Sequence, residues 1–253
     1  MAVSERKRMK TYRFADVNVG IDAVYAQIHG FCSAYMTDGP AEFEVRTTEE
    51  DIRFERGRAE HPDASDESLE NLAVYRKIAE KMPERDVLLF HGSAVAVDGK
   101  AYIFTARSGP GKSTHVRLWR EMLGERAIVV NDDKPLIRIQ ENGEAIVYGT
   151  PWDGKHHLSA TISAPVRGIC FLEQSGINRI REIHRTEALP MLVRQTYRPL
   201  DPAALERTLG LIDRMRVRLY RMSCNMDRSA AEMSYRMMHH PGELPCSREK
   251  DHR

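Results

Sequence analysis

The sequence predicts an α/β fold whose sheet is mixed and largely antiparallel. Three observations predict it. First, "VLLFHGSAVAV" (87–97), "DG" (98–99) and "KAYIFT" (100–105) read as two strands around an Asp-Gly turn, a strong short-range hairpin signal. Second, "LIRI" and "AIVYG" flank the polar stretch "QENGE" and make a second hairpin. Third, the strand at 100–105 runs into the glycine-bearing loop "ARSGPGKST" (106–114) and then into a helix, 112–123. In an ordinary doubly wound fold, the strand before such a loop is reached by a crossover and lies in a parallel sheet. Here an antiparallel partner immediately precedes it.

The remaining elements follow in order. Residues 10–19 and 41–47 alternate as strands do. Between them Ile21, Val24, Ile28, Phe31 and Tyr35 fall at helical spacing, ended by "DGP" (38–40). Residues 58–66 are polar, contain a proline and read as an exposed loop. A helix starts near Asp66, with Leu69, Leu72, Ile78 and Met82 on one side and Pro83 as its stop. In the helix at 112–123, Val116, Trp119 and Leu123 share a face, and Gly124 is placed as its C-cap. "AIVV" (127–130) is a buried strand running into Asn131, Asp132 and Asp133. "GICFLE" (168–173), "RIREIH" (179–184) and "VRLYRMS" (217–223) are strands. Residues 186–195, 202–215 and 227–239 are helices, and the polar tail after Pro241 frays.

Composition sets bounds on partners. Lys and Arg number 38 against 37 Asp and Glu, so the net charge of +1 makes no case for nucleic acid or a membrane surface. The basic start "MAVSERKRMK" has no apolar run behind it, and no stretch is long and apolar enough to span a bilayer. Cys32, Cys170, Cys224 and Cys246 form no C-x-x-C pair. That spacing fits a reducing, cytoplasmic compartment, with each thiol a small buried hydrophobe.

The loop carries the chemistry. A phosphate cradle needs backbone N–H groups, a helix N-terminus behind them and a cation reaching in. Ser108, Gly109 and Gly111 supply close-approaching backbone, Lys112 the cation, and Ser113 or Thr114 a hydroxyl for magnesium. Ala106 stands where the usual pattern has glycine, and Pro110 removes one N–H donor. Asp132 and Asp133 follow Lys112 at the end of a buried strand. Adjacent strand residues point to opposite sides, so one carboxylate can hold a metal while the other takes a proton from an incoming hydroxyl. His91, where the run at 87–97 turns into the hairpin, is a candidate to orient the base. Lys155, in the turn-rich "YGTPWDGKHHLS" (148–159), is a candidate second cation at the rim. His156 and His157 in that stretch have no third ligand at metal spacing. Arg194 and Arg198 are candidate contacts to substrate or phosphate.

Together "HGSAVAVDGKAYIFTARSGPGKS" (91–113), "AIVVNDDKPLI" (127–137), "VYGTPW" (147–152) and "VRG" (166–168) resemble the HPr kinase/phosphorylase family, whose core is similar to that of phosphoenolpyruvate carboxykinases. The resemblance covers about residues 87–185. It implies a hydroxyl kinase that uses ATP and magnesium. On this resemblance Lys112 cradles phosphate, Ser113 binds the metal, Asp132 is the base, Asp133 supports the metal and His91 partners the base. Ala106 departs from the pattern, and so does Pro165, which stands where the family carries an acid before Arg-Gly. The stretches before 85 and after 185 do not resemble the bacterial regulatory enzyme, which implies a different acceptor.

The expected organisation is therefore an α+β portion over 1–85, for acceptor recognition or packed on the core. A nucleotide-binding core spans 86–240, and a polar tail 241–253. The expected partners are ATP, Mg and a hydroxyl-bearing peptide, protein or small molecule, with homo-oligomerisation left open. The competing expectation is a nucleotide-sensing or peptide-recognition module on the same fold that does not catalyse.

Overall fold

The computed structural model describes residues 9–59, 63–107, 111–154 and 157–240. It is a mixed α/β structure with a mostly antiparallel sheet, as the sequence predicts. The chain opens with β1 (Lys10–Phe14) and β2 (Val17–Asp22), an antiparallel hairpin. The single strand expected over 10–19 is thus two. The alternation of Tyr12, Phe14, Val17 and Val19 continues through a two-residue turn, where Ala15 and Asp16 take φ of 48° and 60°. Ile21 belongs to β2, so the expected helix shrinks to α1 (Gln27–Phe31) and a 3-10 turn at Ser33–Tyr35. Then β3 (Phe43–Arg46) pairs parallel to β2.

Sequence reading missed α2 (Glu49–Arg56). Its signal was a capping box, in which the Thr48 hydroxyl and the Asp51 carboxylate each accept the other's backbone N–H. Helix α3 (Asp66–Lys81) is capped by Ser65 and buries Leu69 and Ile78, while Leu72 faces solvent.

The run at 87–97 is also two strands, β4 (Val87–Leu89) and β5 (Ser93–Val97). Between them the N–H groups of Phe90, His91 and Gly92 donate to Pro135, Gln195 and Asp133 instead of to a ladder. The Asp-Gly hairpin to β6 (Lys100–Ala106) is as expected, with Asp98 and Gly99 at φ of 51° and 73°. After the loop come α4 (Lys112–Leu123), β7 (Ala127–Asn131), and the second hairpin, β8 (Leu136–Ile139) with β9 (Ala145–Tyr148). The chain finishes with β10 (Ser163–Gln174), β11 (Arg179–Glu182), α5 (Arg185–Gln195), α6 (Pro202–Arg214), β12 (Arg218–Cys224) and α7 (Arg228–His239).

The main sheet runs β4-β8-β9-β10-β6-β5-β7, with β12 also on β10 and β11 on β12. Strand β10 joins two wings. Its first residues pair antiparallel with β9; from Val166 it pairs parallel with β6, with an irregularity between Val166 and Gly168, and from Gly168 parallel with β12 as well. So β6 has a parallel neighbour on one side and its antiparallel hairpin partner on the other.

Period-two alternation splits the two faces. Ala94, Ala96, Ala101 and Ile103 pack with Leu192, Leu211 and Ile212 of α5 and α6. Val95, Val97, Tyr102 and Phe104 pack with Val116 and Trp119 of α4 and Met238 of α7. Trp119 is fully buried, edge-on to Phe104 at 5.1 Å. Each such side chain contributes about 2–3 kcal/mol by burial. A third cluster joins Tyr12, Phe14, Ile78 and Met82 of the N-terminal portion to Leu89, Leu136 and Trp152. Cys32, Cys170 and Cys224 are free and buried, as expected; Cys246 lies outside the described residues. No described helix is long and apolar enough to cross a membrane.

Candidate phosphate and carboxylate site

The site begins with a buried asparagine. Asn131 ends β7, and its Oδ1 accepts the N–H groups of Asp133 (2.9 Å) and Lys134 (2.7 Å). This is an Asx turn, which bends the chain as soon as the strand stops. Its Nδ2 donates to Thr150 Oγ1 at 3.0 Å and to the Trp152 carbonyl at 3.3 Å. One side chain therefore sets the acidic turn and ties it to the 150–152 segment. Sequence reading gave Asn131 no role, although Asn-Asp-Asp at a strand end is itself an Asx-turn signal.

The two aspartates lie beyond the strand, in the bend, not within the strand as expected. Their environments still differ. Asp132 is 4% exposed, and its backbone carbonyl accepts the Ser93 hydroxyl. Gly154 covers it so closely that a Cβ there would lie 2.8 Å from Asp132 Oδ2. Asp133 is more open, with its side chain 26% exposed. Its Oδ1 lies 3.4 Å from His91 Nε2, and its Oδ2 pairs with the Lys134 ammonium. Burial pushes the Asp133 carboxyl up, but His91 and Lys134 outweigh it and hold the pKa at about 2.

His91 thus stands beside Asp133, where the family resemblance implied a partnership with Asp132. The reason is register. Ala94 pairs with Asn131, and the Gly92 N–H bonds the Asp133 carbonyl, which carries His91 alongside Asp133.

Lys112 is the first residue of α4 and is part-buried. Burial lowers its ammonium pKa, Asp133 and Asp132 work against that, and Lys134 adds to it. Lys112 therefore sits in the field of both carboxylates. The N-cap, Gly111, contributes no side-chain cap, and the first turn holds no acid. The positive end of the α4 dipole is left for an outside anion. Ser113 is exposed, while Thr114 is half-buried. Ser108, Gly109, Pro110 and Lys155 lie outside the described residues.

Sequence reading also missed Gln195, at the end of α5. Its Nε2 donates to the Ala106 carbonyl at 3.0 Å, and its own carbonyl accepts the His91 N–H at 2.7 Å. Arg194, beside it, is exposed, and so is Arg198. Tyr75 of α3 donates to the Lys134 carbonyl at 2.8 Å and stacks on Trp152 at 4.4 Å. The N-terminal portion thus braces the back of the acidic turn. Pro165 pairs with Ile146 of β9, near the amino ends of the parallel strands and away from the loop. Its lack of a carboxylate leaves the acidic turn untouched.

A pocket of about 380 Å³ opens on the other side of the loop's strand. Ala106, Thr114, Leu118, Leu172, Gln174 and Asn225 line it, at the carboxyl ends of β6, β10 and β12. Ligands of α/β sheets settle at such strand ends.

Among the described residues, no three His, Cys, Asp or Glu side chains form a metal cage. Magnesium does not need one, because it takes one or two carboxylates together with substrate phosphates. Asp133 and Ser113 fit that donor set. The Lys134 ammonium on Asp133 marks this carboxylate as a cation seat.

No family model and no curated protein matches this chain. Among solved structures it is similar to the Hpr(Ser) kinase/phosphatase from Coxiella burnetii. The identity is 12%, over 60% of this chain and 95% of that one, with a TM-score of 0.32.

Proposed function

We propose that this chain is an ATP- and magnesium-dependent kinase that transfers the γ-phosphoryl group to a hydroxyl, a serine by preference, of a peptide, protein or small molecule. The observation that carries this reading is that Lys112, at an uncapped helix N-terminus, lies in the field of two carboxylates in unlike environments.

Sheet order supports a direction for the nucleotide. The nucleoside lies in the pocket beside β10 and β12, the phosphates cross the N-terminus of α4, and the γ-phosphoryl group points at the turn after β7. Lys112 and the α4 amides stabilise charge on the transferring group. Asp132 accepts the acceptor's hydroxyl proton as the new O–P bond forms and the bond to the β–γ bridging oxygen breaks, which releases ADP. Asp133 and Ser113 would hold magnesium, which would supply charge neutralisation when bound. His91 orients Asp133, not the base. Arg194 and Lys155 are candidate contacts to acceptor or phosphate, and the N-terminal portion is a candidate acceptor-recognition element.

The test is ADP release with candidate acceptors by the wild type, Lys112→Ala and Asp132→Asn. Full turnover in both variants would sink this mechanism. One feature favours the second reading, a nucleotide-sensing module: Lys134 already places an internal cation on Asp133. Nucleotide binding that ignores magnesium and yields no ADP with any acceptor is the outcome for that reading.

A further inference from the structure

The amino ends of β6, β10 and β12 form an open cleft of about 510 Å³. Lys100, Arg167, Arg216 and Arg218 line it, with Glu144 as the carboxylate among them. None of these four cations makes an ion pair among the described residues. An adjoining cavity of about 690 Å³ shares Arg216 and Arg218, but its other arginines are committed. There Arg214 pairs with Asp86 at 2.6 Å, and Arg185 donates to the Met215 carbonyl at 2.8 Å.

Side chains of like charge that line one cleft repel, and an anion between them removes that penalty.

Shape narrows the class. Ala145, Pro165, Val166 and Val217 give the cleft an apolar floor. Its volume falls within the ~300–1,000 Å³ range of small-molecule sites. Three planar guanidiniums offer more donors than one carboxylate can use, whereas a phosphoryl group presents three acceptor oxygens. We propose that this cleft binds a small organic phosphomonoester, with its phosphoryl dianion among the basic side chains and its carbon body on the floor. The seven residues of β6 separate it from the phosphate loop by roughly 20 Å, so it is a second site, independent of the kinase reading.

The probe is phenyl phosphate, titrated calorimetrically against the full chain. It is expected to bind, and more tightly than phenol. Arg216→Gln and Arg218→Gln, at exposed positions that folding does not need, each weaken it about tenfold, and Lys112→Ala leaves it unchanged. Arg167→Gln is expected to weaken it as well. Three results overturn the proposal: no binding at millimolar phenyl phosphate, binding lost in Lys112→Ala, or binding indifferent to Arg216→Gln and Arg218→Gln. Tighter binding of hexaglutamate than of phenyl phosphate also overturns it, because the cleft would then be an acidic-peptide groove.

Discussion

The two ends of β6, β10 and β12 are built on opposite electrostatic terms. At the carboxyl ends, cations and carboxylates meet: Lys134 and His91 hold Asp133, and Lys112 feels both aspartates. At the amino ends, Lys100, Arg167, Arg216 and Arg218 line one cleft with a single carboxylate, Glu144. Pairing fixes geometry, which a reaction needs, and unpaired like charge attracts a ligand from a distance. The net charge of +1 averages the two ends away, so composition could not reveal either.

The largest expected effect breaks the carboxyl end alone. Lys112→Ala and Asp132→Asn should each lower turnover by about 10³-fold or more, while Arg218→Gln leaves it unchanged. Steady-state ADP release with a working acceptor checks all three. Next is Asn131→Ala, which strands the N–H groups of Asp133 and Lys134. It should destabilise the fold by roughly 2–3 kcal/mol, read from urea unfolding, and should leave phenyl phosphate affinity intact in the folded protein.

The pH response sharpens the comparison further. The Asp133 pKa is lowered from 3.8 to about 2 on folding. A lowered carboxyl pKa adds stability that is complete above the unfolded value and is lost as pH falls through the folded one. The window is therefore pH 4 down to 2, and the amount roughly 2 kcal/mol. Asp133→Asn should lose the wild type's advantage in that window, and a wild-type curve that stays flat there relative to the variant would contradict the pairing. Smallest is Gly154→Ala. Its Cβ would press on Asp132, so kcat should fall about tenfold with little change in unfolding midpoint.

Much of the fold was legible because local signals agreed with the global result. The Asp-Gly hairpin, the helix α4 and the second hairpin all formed as the residues suggest. Errors came where one pattern ran through a break. The alternation of 10–19 hides the turn at Ala15–Asp16, and the apolar run 87–97 hides the exit at His91. The loop and both aspartates were visible as residues. Gln195, Tyr75 and the Asp133 partnership of His91 were not, because each depends on which distant strands or helices meet.

Strand β10 sets an order of assembly. Strand β6 cannot gain its second neighbour until residues 166–172 exist, and β10 cannot gain its own until 218–224 follow. The loop-bearing strand is therefore completed by contacts more than 60 residues away along the chain. Such long-range parallel pairing forms slowly and late. A ribosome must release most of this chain before the strand leading into the proposed phosphate loop has both its neighbours. A fragment cut after β7 would expose the edge of β6 and be prone to aggregate.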